Sequence, residues 1–220
     1  MQNCKAVIFD MDGLLLDSEK IAFDTFTKSL KVFNLEKESL LFYKMIGKDS
    51  TSCKNILKEG LSNKINHEEF GKIWSDLYKK ETILKPIPVK NGVKSLLNHL
   101  KDLKIIMAVA TSTDTDLAKE KLKKSGLLEY FTLVIGGDKV NIGKPSPDIY
   151  LYVANKLSVN PQHCLALEDS ENGVKSAISS GMNVIQIPDI VQPSNELKQL
   201  GHIILSSLED VITYDFQSNS

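Results

Sequence analysis

The stretch AVIFDMDGLLLDSE, residues 6–19, runs apolar from Ala6 to Phe9, presents Asp10, Asp12 and an Asp12-Gly13 pair, and turns apolar again at Leu14, Leu15 and Leu16. A short continuous apolar run closed by polar residues marks a strand buried on both faces, the kind found in parallel sheets. Residues two apart in an extended chain point to the same side, so both carboxylates can face one pocket. A core strand that ends in two acids needs compensating charge from elsewhere in the chain.

Downstream the pattern alternates. KIIMAVA (104–110), TLVIGG (132–137), HCLALED (163–169), NVIQI (183–187) and HIIL (202–205) read as strands. Between and after them, helices are expected from Thr113 or Asp114, either of which can cap, to Gly126, then over SPDIYLYVANKL (146–157), NGVKSAISSG (172–181), residues 194–200 and SLEDVITYDF (207–216). This alternation predicts an α/β fold with a parallel sheet covered by helices on both faces.

Residues 15–85 break the rhythm. SEKIAFDTFTKSLKVF places Ile21, Phe23, Phe26, Leu30 and Phe33 at near-helical spacing, and STSCKNILKEGL and HEEFGKIWSDLYKK are further amphipathic segments. The simplest domain plan is an all-α insert over 15–86 within a core made of 1–14 and 87–220. Pro86 and Pro88 stiffen the exit from the insert, and hinges are expected around Gly13–Asp17 and Pro86–Val89.

The totals narrow the function classes. The 220 residues carry 27 basic and 28 acidic side chains, 42% hydrophobic and 25% charged residues. No basic stripe points to nucleic acid, and the apolar runs are too short to span a bilayer. Cys4, Cys53 and Cys164 form no CxxC pair, which suits reduced thiols and a cytoplasmic location. A monomer is the default expectation.

In an open α/β sheet, ligands bind beyond the carboxyl ends of the strands. There the chain offers Asp10 and Asp12, then Thr111, Ser112 and Thr113, then Glu168 and Asp169, with Lys144 in the loop GKPSPDIY. Each has a plain alternative as a turn, a helix cap or a solvated charge. Together, four carboxylates at one buried edge repel one another unless a cation lies among them. Oxygen donors without His or Cys suit a hard ion, Mg2+ first. One lysine and hydroxyls at a helix start add what a phosphate dianion requires.

Carried by DMDGLLLDSE, ATST, GKPSPDIY, EDSENG and GM in that order, the chain resembles the haloacid dehalogenase superfamily. The resemblance is to the branch with a helical cap, which contains β-phosphoglucomutase and small phosphatases such as pseudouridine-5′-phosphatase. It implies a Rossmann-like core with a four-helix cap. It further implies Asp10 as nucleophile, Asp12 as general acid and base, and Thr111, Ser112 and Lys144 on the phosphoryl group. Mg2+ would be held by Asp10, the Asp12 carbonyl and Asp169, with Glu168 assisting directly or through water.

The acid at Asp12 argues against a dehalogenase, and Lys48 is a candidate for substrate specificity in the cap. Ala22 and Ser50 stand where a β-phosphoglucomutase carries a histidine and an arginine. A phosphatase acting on a small phosphorylated metabolite is therefore expected, with a mutase or a catalytically idle binding protein as the alternatives.

Overall fold

A computed structural model describes residues 4–46, 50–61 and 65–213, with backbone alone at Ser50 and Thr51. By its contacts the chain forms two units, Ser18–Ile87 and the combination of Met1–Asp17 with Pro88–Ser220.

The first unit holds α1 (Ser18–Val32), a 3₁₀ turn (Glu36–Leu40), α2 (Leu41–Met45), α3 (Ser50–Leu61) and α4 (His67–Ile83). The aromatic spacing read in α1 turns Phe26 and Leu30 fully inward, where they meet Leu41, Phe42, Met45, Leu61 and Phe70. Phe26 lies 5.7, 5.6 and 5.0 Å, centroid to centroid, from the rings of Phe42, Phe70 and Trp74. Edge and tilted contacts of this kind suit the ring quadrupoles. Two hydroxyls inside the stripe are satisfied locally: Thr25 donates to the Ile21 carbonyl at 2.8 Å and Ser29 to that of Thr25 at 2.8 Å. Asn66 starts α4 by accepting from the Glu68 and Glu69 N–H groups. Lys48 falls outside the described residues.

The second unit is a parallel sheet. In chain order it contains β1 (Ala6–Phe9), α5 (Val93–Asp102), β2 (Ile106–Ala110), α6 (Thr115–Lys124), β3 (Leu133–Ile135), α7 (Asp148–Leu157) and β4 (Cys164–Glu168). It closes with α8 (Glu171–Ser179), β5 (Asn183–Gln186), α9 (Asn195–Lys198), β6 (Ile203–Ile204) and α10 (Leu208–Ile212). The strand order is β3-β2-β1-β4-β5-β6. Every pair is parallel, with Phe9 in register with Val109 on one side and Leu167 on the other.

Small side chains on one face of the sheet (Ala6, Ala108, Ala110, Ala166) let Ile149, Tyr150 and Val153 of α7 and Val174 and Ala177 of α8 press close. That face places α7 directly under the strand ends, which matters for the site. The strand order reverses direction between β1 and β4, the switch point where open sheets bind ligands.

Two expected helices differ in detail. Asp114 occupies the cap position of α6 without a side-chain capping bond. The cap comes instead from Asp138, which accepts from the Thr115 N–H at 2.7 Å and hydroxyl at 2.6 Å. The Thr113 hydroxyl is directed elsewhere, donating to Asp12 at 2.7 Å. The last helix, expected over 207–216, is shorter: Ser207 and Asp210 form a capping box and α10 stops at Ile212, with Thr213 at its C-terminal cap. Residues 214–216 fall outside the described residues.

Candidate active site

Three segments far apart in sequence end at one edge of the sheet because neighbouring strands hold them in step. The Asp10 N–H donates to the Leu167 carbonyl at 2.9 Å, the Thr111 N–H to Ile135 at 3.0 Å, and the Ile187 N–H to Glu168 at 2.7 Å. The residues just past β1, β2 and β4 therefore share one rim.

Lys144 reaches this rim from the loop between β3 and α7. Its ammonium donates to Asp10 Oδ1 at 2.6 Å, Glu168 Oε1 at 2.6 Å and the Ala110 carbonyl at 3.0 Å. An ammonium has three hydrogens, so all are used. Side-chain exposure is 6% for Lys144, 10% for Asp10 and 0% for Glu168, and charge pairs this dry give up most of their hydration. Burial by itself would pull the Lys144 ammonium down, but Asp10 and Glu168 outweigh it and hold the group above the ordinary lysine range. Burial pushes the Asp10 carboxyl up to about 7, against the pull of Lys144 and with added push from Glu168.

Glu168 is held on both oxygens. Oε1 accepts from Lys144 and from the Tyr150 hydroxyl at 2.6 Å. Oε2 accepts from the Asp169 N–H at 3.2 Å, the Ser170 N–H at 3.4 Å and the Ser170 hydroxyl at 3.3 Å. A Cβ on Gly173 would lie 2.0 Å from this carboxylate, so the absent side chain at the start of α8 makes room for it. Burial, then Glu168, hold the Tyr150 phenol well above its usual range, so it stays a donor. Tyr150 is a site residue that sequence reasoning missed. Its signals were its place at the end of GKPSPDIY and in a helix read as apolar, neither of which marks a phenol as a partner of Glu168.

Asp10, Glu168 and Asp169 each offer a carboxylate oxygen, all within 4.8 Å of one another. Lys144 pairs with two of the three carboxylates, and the set is all oxygen. That chemistry fits a hard divalent cation: Asp10 and Asp169 could serve as its ligands, with Glu168, its oxygens engaged by protein donors, steadying the set. Gly13, at φ +92°, lets the chain turn here, and a Cβ on it would sit 2.4 Å from Asp169 Oδ2.

Asp12 departs from the expected crowd of four acids. Its carboxylate is not one of the three that share this space. Oδ2 accepts from Thr113, and Oδ1 from the Lys121 ammonium at 3.0 Å. Its charge is balanced on its own side of the rim. Thr111 is buried, and its hydroxyl oxygen accepts from the Thr113 N–H at 3.2 Å; Ser112 beside it is exposed.

The cysteines hold no comparable arrangement. Burial raises the Cys4 thiol to about 11 and the Cys164 thiol to about 12, which favours the protonated form of both. No helix among the described residues is long and apolar enough to cross a membrane.

Comparison with known proteins places these features in context. The family model described as haloacid dehalogenase-like hydrolase matches residues 7–187. A Thermotoga maritima protein named phosphorylated carbohydrates phosphatase is 33% identical over 94% of this chain and 96% of its own length. A Drosophila melanogaster protein named probable pseudouridine-5′-phosphatase is 30% identical over 92% of this chain and 89% of its own. Among solved structures, a Thermotoga maritima protein provisionally named a beta-phosphoglucomutase superposes with a TM-score of 0.77 at 31% identity, covering 96% of this chain and 97% of that one.

Proposed function

Because this chain belongs to the haloacid dehalogenase-like hydrolases and is a phosphatase of that family, we propose that it hydrolyses a small phosphate monoester, a sugar phosphate or a nucleoside monophosphate, with Mg2+ and through an aspartyl phosphate on Asp10. The observation that carries this reading is the buried Lys144 ammonium, 2.6 Å from both Asp10 and Glu168, beside a third carboxylate at Asp169. A carboxylate can approach a phosphate dianion only where fixed positive charge offsets the repulsion. Lys144 supplies one such charge, and Mg2+, when bound by Asp10, the Asp12 carbonyl and Asp169, supplies the rest.

In this scheme Asp10 forms a bond to phosphorus while the ester P–O bond breaks. The leaving oxygen keeps the electron pair and takes a proton from the Asp12 carboxyl. Asp12, then a carboxylate, accepts a proton from the water that hydrolyses the aspartyl phosphate. The Thr111 hydroxyl and the backbone at Ser112 hydrogen-bond the phosphoryl oxygens. The helical unit Ser18–Ile87 takes the part of the cap that selects the substrate, with Lys48 as a specificity residue. Ala22 and Ser50, in place of a histidine and an arginine, favour hydrolysis over phosphoryl transfer between sugar positions.

A panel of sugar phosphates and nucleoside 5′-monophosphates, assayed for phosphate release with Mg2+ and after chelation, tests the proposal. Expected are release that needs the metal and a loss of at least about a thousandfold in Asp10→Asn. Undiminished release by Asp10→Asn would remove the nucleophile. Conversion of β-glucose 1-phosphate to the 6-phosphate, without net phosphate release, would replace the hydrolase by a mutase.

A further inference from the structure

Helix α6 contains the run KEKLKK, residues 119–124, and three of its four lysines are exposed. Lys121 is the exception at 3% exposure. It shares the inward stripe of the helix with Thr115, Ala118 and Leu122. A leucine or methionine would fill that stripe without the loss of hydration that a lysine suffers there, and lysine is almost never buried unless paired. Its ammonium meets Asp12 Oδ1 at 3.0 Å, while Thr113 donates to Oδ2 at 2.7 Å.

We propose that Lys121 is a positioning residue for the proton transfer assigned to Asp12. The proposal rests on the hydrolase reading above and deepens it. A carboxylate on a short side chain rotates about two bonds. With one donor fixed on each oxygen, its plane is set, and so is the direction in which its remaining lone pairs face the leaving oxygen. Proton transfer requires heavy atoms within about 2.6–3.2 Å, and a displacement of about 1 Å costs on the order of a hundredfold. Lys121 touches neither the ester nor the phosphoryl group; it acts through Asp12.

An alkoxide leaves only when it receives a proton, whereas p-nitrophenolate leaves without one, so the two substrate types separate this role from general damage. The test compares kcat/KM for glycerol phosphate and p-nitrophenyl phosphate in the wild type and in Lys121→Met. This ratio reports steps up to departure of the alcohol and is blind to the later hydrolysis. The variant is expected to lose about 10- to 100-fold on glycerol phosphate and less than about threefold on p-nitrophenyl phosphate. In an Asp12→Asn background, Lys121→Met should bring no further loss on glycerol phosphate.

Equal losses on both esters, or independent losses in the double variant, would overturn the proposal and leave Lys121 a structural residue. Lys121→Gln, which keeps a donor on a shorter stem, must show the same split in smaller measure and keeps the test open should the methionine variant fail to fold. Where glycerol phosphate is not turned over, a panel monoester that the wild type does hydrolyse replaces it in the comparison. Wild-type protein that releases phosphate from no ester of the panel and from neither of these two would defeat the hydrolase reading itself, and this role with it.

Discussion

The interior of the helical unit and the rim of the sheet bury side chains for opposite reasons. Around Phe26 the buried groups are rings and methyls, and the few hydroxyls there turn back on their own helix. Around Glu168 the buried groups are charged, and their partners come from β1, β2, α7 and the loop before it. The first arrangement lowers free energy by removing apolar surface from water. The second gives up hydration to hold charges in place, a cost that folding alone does not require. Stability therefore resides mainly in one pattern and chemistry in the other.

Substitutions sharpen this contrast. Lys144→Met should give the largest effect: phosphate release falls at least about a thousandfold, and the strand ends lose roughly 3–5 kcal/mol because two buried carboxylates are left uncompensated. Steady-state assays and urea unfolding measure the two losses. A variant that kept either one near wild type would separate the charge cluster from its assigned work. Phe26→Ala comes next and is the converse case, with a loss of about 3–5 kcal/mol from a cavity in the ring cluster. Chemical denaturation should show that loss, while Asp10 and Lys144 keep their pairing.

A smaller effect follows from the raised Asp10 carboxyl. Its proton is held more tightly folded than unfolded, so its contribution is fully present below about 3.8 and disappears as pH rises through about 7. In metal-free protein the folded state should therefore lose stability steadily between those limits. Asp10→Asn should remove it, which makes the variant progressively more stable than wild type as pH rises across that window. Thermal melts of both proteins at a series of pH values test the sign, and added Mg2+ should stabilise the wild type alone. The smallest effect is expected at Asp138→Ala, where an exposed cap is lost from α6 and a thermal melt should shift down only slightly. A change in catalysis there would mean that the helix start, and with it Thr113, is coupled to the rim.

Much of the sheet was legible because buried parallel strands read as unbroken apolar runs. The acids that end them stand out against that background. Asp10, Glu168 and Asp169 were found this way, Lys144 was read in the loop GKPSPDIY, and the structure brings them to one rim. Tyr150 and Lys121 were not, since each lies in a helix whose periodicity treats it as filler or as solvated charge. The cap of α6 was assigned to its own first residues, and instead it is Asp138, 23 positions from the Thr115 N–H it accepts.

Local chemistry along the chain determined which segments become strands or helices and which acids fall at strand ends, since side-chain periodicity and apolar runs act over a few residues. Which charge meets which was decided only by the tertiary structure. A hydrogen bond such as that from Lys121 to Asp12 joins residues 109 apart. Such a partner is chosen by the register of neighbouring strands and the packing of helices over them, not by spacing along the chain.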